Sequence, residues 1–243
     1  MASFSLTDAT TWVGGYDFTT KLNQISLSVS AEDLEDTTFG SGGYRSRTGG
    51  LKTVEAELNG FLDSDASIGV DPEIFPNLGT HDRVVTMAHD DAEGSIAYMF
   101  QAGQFSYDLF GSVGELAPFS VSMMGTNSVG LIRGQVAKAK ASVSATGATG
   151  SPVNLGNVGA SQYLYATLHV IGTPGTTITV EVESDDNVNF TSATSRITFG
   201  PITTAGGIWG TRVAGALAET HYRFNVTAIT GTFTIAGAIG IGS

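Results

Sequence analysis

In QISLSVS, residues 24–30, apolar and hydroxyl side chains alternate without a break. Ile25, Leu27 and Val29 fall on one side, Ser26, Ser28 and Ser30 on the other. An uninterrupted period of two can bury its apolar members only as a β-strand with one face covered. The pattern returns in LKTVEAELNGF, which sets Val54, Ala56 and Leu58 against Glu55, Glu57 and Asn59, and in APFSVSMMGT, where Phe119, Val121 and Met123 share a face. Further strands are expected at RVVTMAH, GSIAYMFQAGQFSYDL, YLYATLHVI, TTITVEVESDD, SRITFGPI, HYRFNVTAI and GTFTIAGAIGI. Glycine supplies 32 of 243 residues, about twice its usual share of ~7%. The chain therefore reads as mainly β, with short strands joined by glycine-rich turns. Gly94, Gly103 and Gly111 in and around the long central run mark turns or a bulge. One short helix is expected in VDPEIFPNLG, capped by Asp71 with Pro72 in its first position and stopped by Pro76 and Gly79.

Between the first two strands lies AEDLEDTTFGSGGYRSRTGGLK, residues 31–52, with five glycines and no usable apolar period. It reads as a loop of some twenty residues, long enough in a compact domain to be functional. A second irregular stretch, AKAKASVSATGATGSP, is small and polar and reads as a linker, placing a domain boundary near residue 140.

Charge narrows the function classes. Residues 1–139 carry 18 acidic and 7 basic side chains, and residues 140–243 carry 5 and 4. Nucleic-acid binding needs the opposite sign, because phosphate neutralisation dominates that affinity. No cysteine is present, which removes disulfides, thiol catalysis and cysteine zinc sites. The N-terminal residues lack a secretory pattern, and no apolar run is long enough to span a bilayer as a helix. His81-Asp82 and His89-Asp90-Asp91 could offer metal ligands, but their spacing suits solvated strand ends better. Asp185, Asn187 and Asn189 resemble half a calcium loop without its glycine and distal glutamate, and a polar hairpin turn explains them better. GSGG at 40–43 lacks the ending of a phosphate loop. No nucleophile, base and orienting group converge, so neither an enzyme nor a cofactor is expected.

The order of features in the N-terminal half resembles the major tail tube proteins of long-tailed bacteriophages. The residues that carry the resemblance are Gly15, Tyr16, Asp17, Leu22 and Asn23, then Asp36, Thr37, Thr38, Phe39 and Gly40, then Gly50, Leu51 and Lys52. GSIAYMFQAGQFSYDLFGSVGELAPFSVSMMG looks like the same family's later hairpins, and residues 163–241 resemble an appended β-sandwich found on such tail proteins. The resemblance implies a tail-tube-type β-barrel or sandwich with one short α-helix over residues 1–139. It implies an immunoglobulin-like or jelly-roll sandwich over 140–243; being nearly neutral, with its own alternating strands behind a linker-like connection, that part is expected to decorate the outside and to be dispensable for polymerisation. It implies virion tail localisation after assembly in the host cytoplasm, and hexameric rings stacked into a tube that conducts the genome without binding it. Tape-measure, tail terminator and distal tail proteins would be partners, with no membrane involved.

On that reading Asp36, Thr38, Phe39, Tyr44, Arg45 and Arg47 form a subunit interface that orders on contact. Glu55 and Glu57 are candidates for the tube lumen. The rival from another class is a carbohydrate or cell-surface binding module, with Trp209, Tyr163 and Tyr165 as a sugar platform; a loop or core position is the plainer account of those three aromatics.

Overall fold

The structure, a computed structural model, describes residues 6–63, 65 and 69–243. In chain order the strands are β1 (Thr10–Val13), β2 (Tyr16–Asp17), β3 (Leu22–Glu35) and β4 (Arg47–Phe61). The helix α1 (Val70–Ile74) follows, running into a single 3₁₀ turn (Phe75–Asn77). Next come β5 (Arg83–Ala88), β6 (Ile96–Leu109), β7 (Pro118–Gly125), β8 (Ile132–Val143), β9 (Gly147–Asn154) and β10 (Tyr163–Ile171). The last six are β11 (Thr177–Asp185), β12 (Thr194–Ile202), β13 (Gly206–Trp209), β14 (Val213–Ala214), β15 (His221–Thr230) and β16 (Phe233–Gly242). The protein is mainly β, and its sheets are built on antiparallel pairs, among them β1–β5, β3–β4, β4–β7, β8–β16, β10–β16 and β11–β15. Asp71 sits inside the first turn of α1, and Gly69 takes the capping position without a side-chain bond.

The chain divides into two compact units, and the division departs from the expected one. The first unit comprises residues 1–21, 83–101 and 132–243, and the second 22–82 and 102–131. In the first unit, β11, β12, β15 and β9 form one sheet, facing β10, β16, β8, β13 and β14 across an apolar core. Val180, Val182, Phe199 and Phe224 from one sheet and Leu168, Val170, Ile235 and Ile239 from the other are buried in that core. Of the residues that looked like a linker, 144–146 are a short connection, 147–152 lie in β9, and 137–143 are the second half of β8. Its alternation is masked because the inward residues are small and the others include two lysines, Lys138 and Lys140. Each lysine has a carboxylate partner, Glu93 for Lys138 and Asp17 for Lys140, so the strand carries its cations at little cost. A boundary at residue 140 would cut this strand in two.

The N-terminal strands belong to the same unit. β5 and β1 extend the sheet beyond β8, and Trp12 is buried with its ring 5.8 Å from that of His169 on β10. His169 donates from Nδ1 to the Gly14 carbonyl at 2.8 Å, leaving Nε2 to accept the Thr86 hydroxyl at 2.8 Å. Thr86 in turn accepts from Thr167 at 2.9 Å. Every polar atom of this buried imidazole is satisfied, which is what makes its burial tolerable.

Candidate self-association surface

In the second unit β3, β4, β7 and the C-terminal half of β6 form a sheet with two unlike faces. Val54, Ala56, Leu58, Phe119, Val121 and Met123 are buried on one face. On that side of the unit, the Gln104 amide donates to the Ile74 carbonyl at 2.8 Å, tying β6 to α1. The register places the opposite side chains in rows: Ser28 beside Glu55, Ser26 beside Glu57, Glu57 beside Ser122, Asn59 beside Ser120, and Ser120 beside Asp108. Glu55 and Glu57 are exposed here, on the polar face. No lysine or arginine occurs anywhere in the four strand segments 22–30, 53–61, 102–109 and 118–125. The face is therefore hydroxyl-rich and purely anionic.

Beyond Val29 and Val54 the third neighbour is gone, and β3 and β4 continue as a two-stranded ribbon. The predicted twenty-residue loop is largely this ribbon. Residues 31–35 and 47–50 are paired strand, with Leu34 opposite Thr48 and Glu35 opposite Arg47, and only 36–46 turn. Alternation fails here because neither face is buried, so nothing selects apolar side chains for one side. The tip is ordered by its own hydrogen bonds. Ser46 donates its amide to the Thr37 hydroxyl at 3.0 Å, Thr38 donates to the Ser41 hydroxyl at 3.1 Å, and Tyr44 donates to the Ser41 carbonyl at 3.2 Å. Gly42 and Gly43 have φ of 62° and 86°, a left-handed pair that closes the turn and that side chains rarely adopt.

The expected interface residues all lie on this ribbon, in two roles. Asp36 and Thr38 are exposed in the turn, and Phe39 and Tyr44 stand in water at 114% and 83% of full exposure. Arg45 and Arg47 are not free to await an acidic partner. Arg45 lies 3.5 Å from Glu35, and Arg47 pairs with Asp33. Exposed pairs of this kind contribute at most about 1 kcal/mol each. Val29, Leu34 and Leu51 add exposed aliphatic surface along the ribbon. Among the described residues, every exposed large apolar side chain except Leu6 and Val188 lies in the second unit. At the far end of the sheet a cavity of about 310 Å³ is walled by Phe61, Leu109, Phe110 and Phe119. Phe110 holds a φ of 69° there and is 74% exposed.

The other candidate residues resolve differently. His81 and His89 flank β5, with ring nitrogens 3.3 Å and 3.1 Å from the Asp82 and Asp90 carboxylates. Asp185 is buried and accepts the amides of Asn187 and Ser192, at 2.8 Å and 2.7 Å, which holds its carboxyl below the usual range. It organises a turn. Tyr165 is fully buried, 6.0 Å from Trp209 and 6.2 Å from Tyr163 between ring centroids, and Arg212 covers Tyr163 at 4.2 Å. These aromatics pack on one another and present no flat sugar platform.

No known family's profile matches the sequence, and no curated protein does. Several solved structures are similar. A chain of the virion of a native gene transfer agent particle aligns over 46% of this chain and 84% of its own, at 16% identity and a TM-score of 0.37. The Dit protein of phage SPP1, described as a paradigm of hub adsorption apparatus in phages infecting Gram-positive bacteria, aligns over 98% and 100%, at 11% identity and 0.42. A chain of the anti-feeding prophage baseplate aligns over 55% and 97%, at 9% and 0.41. Likenesses this distant leave the function to be argued from this chain's own geometry.

Proposed function

We propose that this chain is a structural virion protein whose copies assemble into stacked hexameric rings, forming a tail tube that conducts the genome. The observation that carries the reading is the exposed β3–β4 ribbon. A two-stranded hairpin alone in water is marginally stable at best, and this one adds a fully exposed phenylalanine and an aliphatic edge. Such a surface is stabilised by burial against another protein, with aromatics as its anchors. A neighbouring copy supplies the needed surface, since among the described residues the same unit displays nearly all the other exposed large apolar groups. A contact between unlike patches repeats from copy to copy and builds rings or stacks. Six-fold symmetry, and tape-measure, terminator and distal tail proteins as partners, follow from the sequence resemblance.

Negative-stain electron microscopy of the purified chain tests this, with tubes as the expected result. Phe39→Ala, and Arg45→Glu combined with Arg47→Glu, should each suppress tube growth while leaving the β-sheet circular dichroism intact. The double reversal sets four acidic groups against one another at the ribbon tip. Chains that stay monomeric under all conditions of salt and concentration would overturn the reading.

The anionic face of Ser26, Ser28, Glu55, Glu57, Ser120 and Ser122 suits the lumen of such a tube, where like-charge repulsion keeps a polyphosphate from adhering. Assembled protein should show no DNA affinity at low salt in a sedimentation assay. Micromolar binding would exclude this face as a conduit wall.

A further inference from the structure

In the first unit, a cleft of about 340 Å³ is lined by residues of β8 and β16 and of the segment that follows β9. We propose that it binds an acidic saccharide, a sugar ring bearing a carboxylate or a phosphate. The proposal does not depend on tube formation.

Among the described residues, Arg133 is the only formal charge lining the cleft, in a chain of net charge −12. The chain's other arginines are engaged. Arg45, Arg47, Arg196 and Arg223 pair with carboxylates, Arg212 lies over Tyr163, and Arg83 also has a partner. Arg133 is exposed on β8 with no side-chain partner among the described residues. A guanidinium left unpaired in so acidic a protein is an anion receptor, with planar donors that match a carboxylate or phosphate.

The amides around it are polarised the same way. Gln162 accepts the Gly159 amide on its Oε1 at 2.9 Å, and Asn154 accepts the Gly156 amide on its Oδ1 at 3.1 Å. A backbone N–H can only be answered by oxygen, so both amides are fixed in orientation and Gln162 keeps its NH₂ for a ligand. Gln135 and Asn157 also line the cleft and can both donate and accept, as vicinal hydroxyls require. Ile96 and Ile241 supply apolar surface for the C–H face of a sugar ring. The volume falls at the small end of ligand sites, suited to one or two rings.

The test is calorimetry and ligand-observed NMR on the full chain with D-galacturonate, glucose 6-phosphate, galactose and inorganic phosphate. The acidic sugars should bind at least about tenfold more tightly than galactose or phosphate. Arg133→Gln should weaken them at least about tenfold with an unchanged melting temperature, because the side chain holds nothing else in place. Gln135→Glu, which adds a carboxylate to the cleft, should do the same, and it serves if the first variant is unstable. Three results would overturn the proposal: no acidic sugar bound at roughly 10 mM, phosphate binding as well as glucose 6-phosphate, or both variants binding like the parent.

Discussion

A chain ended after Ala139 will not fold as the parent does. The cut removes the end of β8, Lys140 to Val143, and all of β16, whose pairing with β8 runs from Val143 opposite Phe233 to Gly134 opposite Gly240. It also removes β10, which brings His169 against Trp12 and Thr86. Val136 and Ala137, fully buried in the parent, would face water beside a row of unpaired backbone groups. A whole domain is held by only ~5–15 kcal/mol, and losing one side of a sandwich core exceeds that. Tryptophan fluorescence gives a direct readout, because Trp209 is removed and Trp12 alone remains. The fragment's emission should shift to that of a water-exposed indole, with no cooperative melt. A blue-shifted emission and a melt close to the parent's would show that residues 1–139 form a domain after all.

The second large effect is acid destabilisation through His169. Burial depresses its pKa from 6.5 to about 4, only partly offset by the Gly14 hydrogen bond and by Asp17. Below pH 6.5 the unfolded chain takes up a proton that the folded chain refuses until about pH 4. Unfolding therefore consumes a proton across this window, and stability falls as the pH falls through it. At 1.36 kcal/mol per unit the full window is worth roughly 3 kcal/mol. Above pH 6.5 both states are neutral and the contribution to the pH slope vanishes. Denaturant unfolding at intervals from pH 7.5 to 4 should show this slope, and His169→Gln, though less stable throughout, should lose that part of it. Parallel curves for the two proteins would mean that the folded imidazole titrates normally.

Most of the strands could be read from the sequence because one-sided burial writes a period of two, as in Ser26–Val29 and Val54–Asn59. The pattern fails where burial is two-sided or absent. β10 is buried on both faces from Leu164 to Val170, so His169 sits in an apolar run with nothing local to mark it as a core residue. Its partners Gly14 and Thr86 are distant in sequence and meet it only through sheet order. The ribbon fails for the opposite reason, since exposure on both faces leaves no period at all. Lys138 and Lys140 hid β8, because pairing across the fold is invisible to a local reading. Phe39 and Tyr44 stood out as large aromatics among small residues, and the structure exposes both. The unpaired Arg133 carried no such signal, because its isolation is defined by where the other charges go.

The ribbon has a consequence for chain length. Glu35 and Arg47 already face each other, so residues 36–46 close a loop whose ends are held by the strands. The entropy of such a loop grows only logarithmically, and doubling it costs about 0.6 kcal/mol. Insertions between Gly42 and Gly43 therefore give up the turn they close but leave the strand pairing beneath it in place, while each one changes how far the tip extends. The fold thus separates reach from stability and leaves the tip as a graft point where new sequence can be displayed without redesigning the protein beneath it.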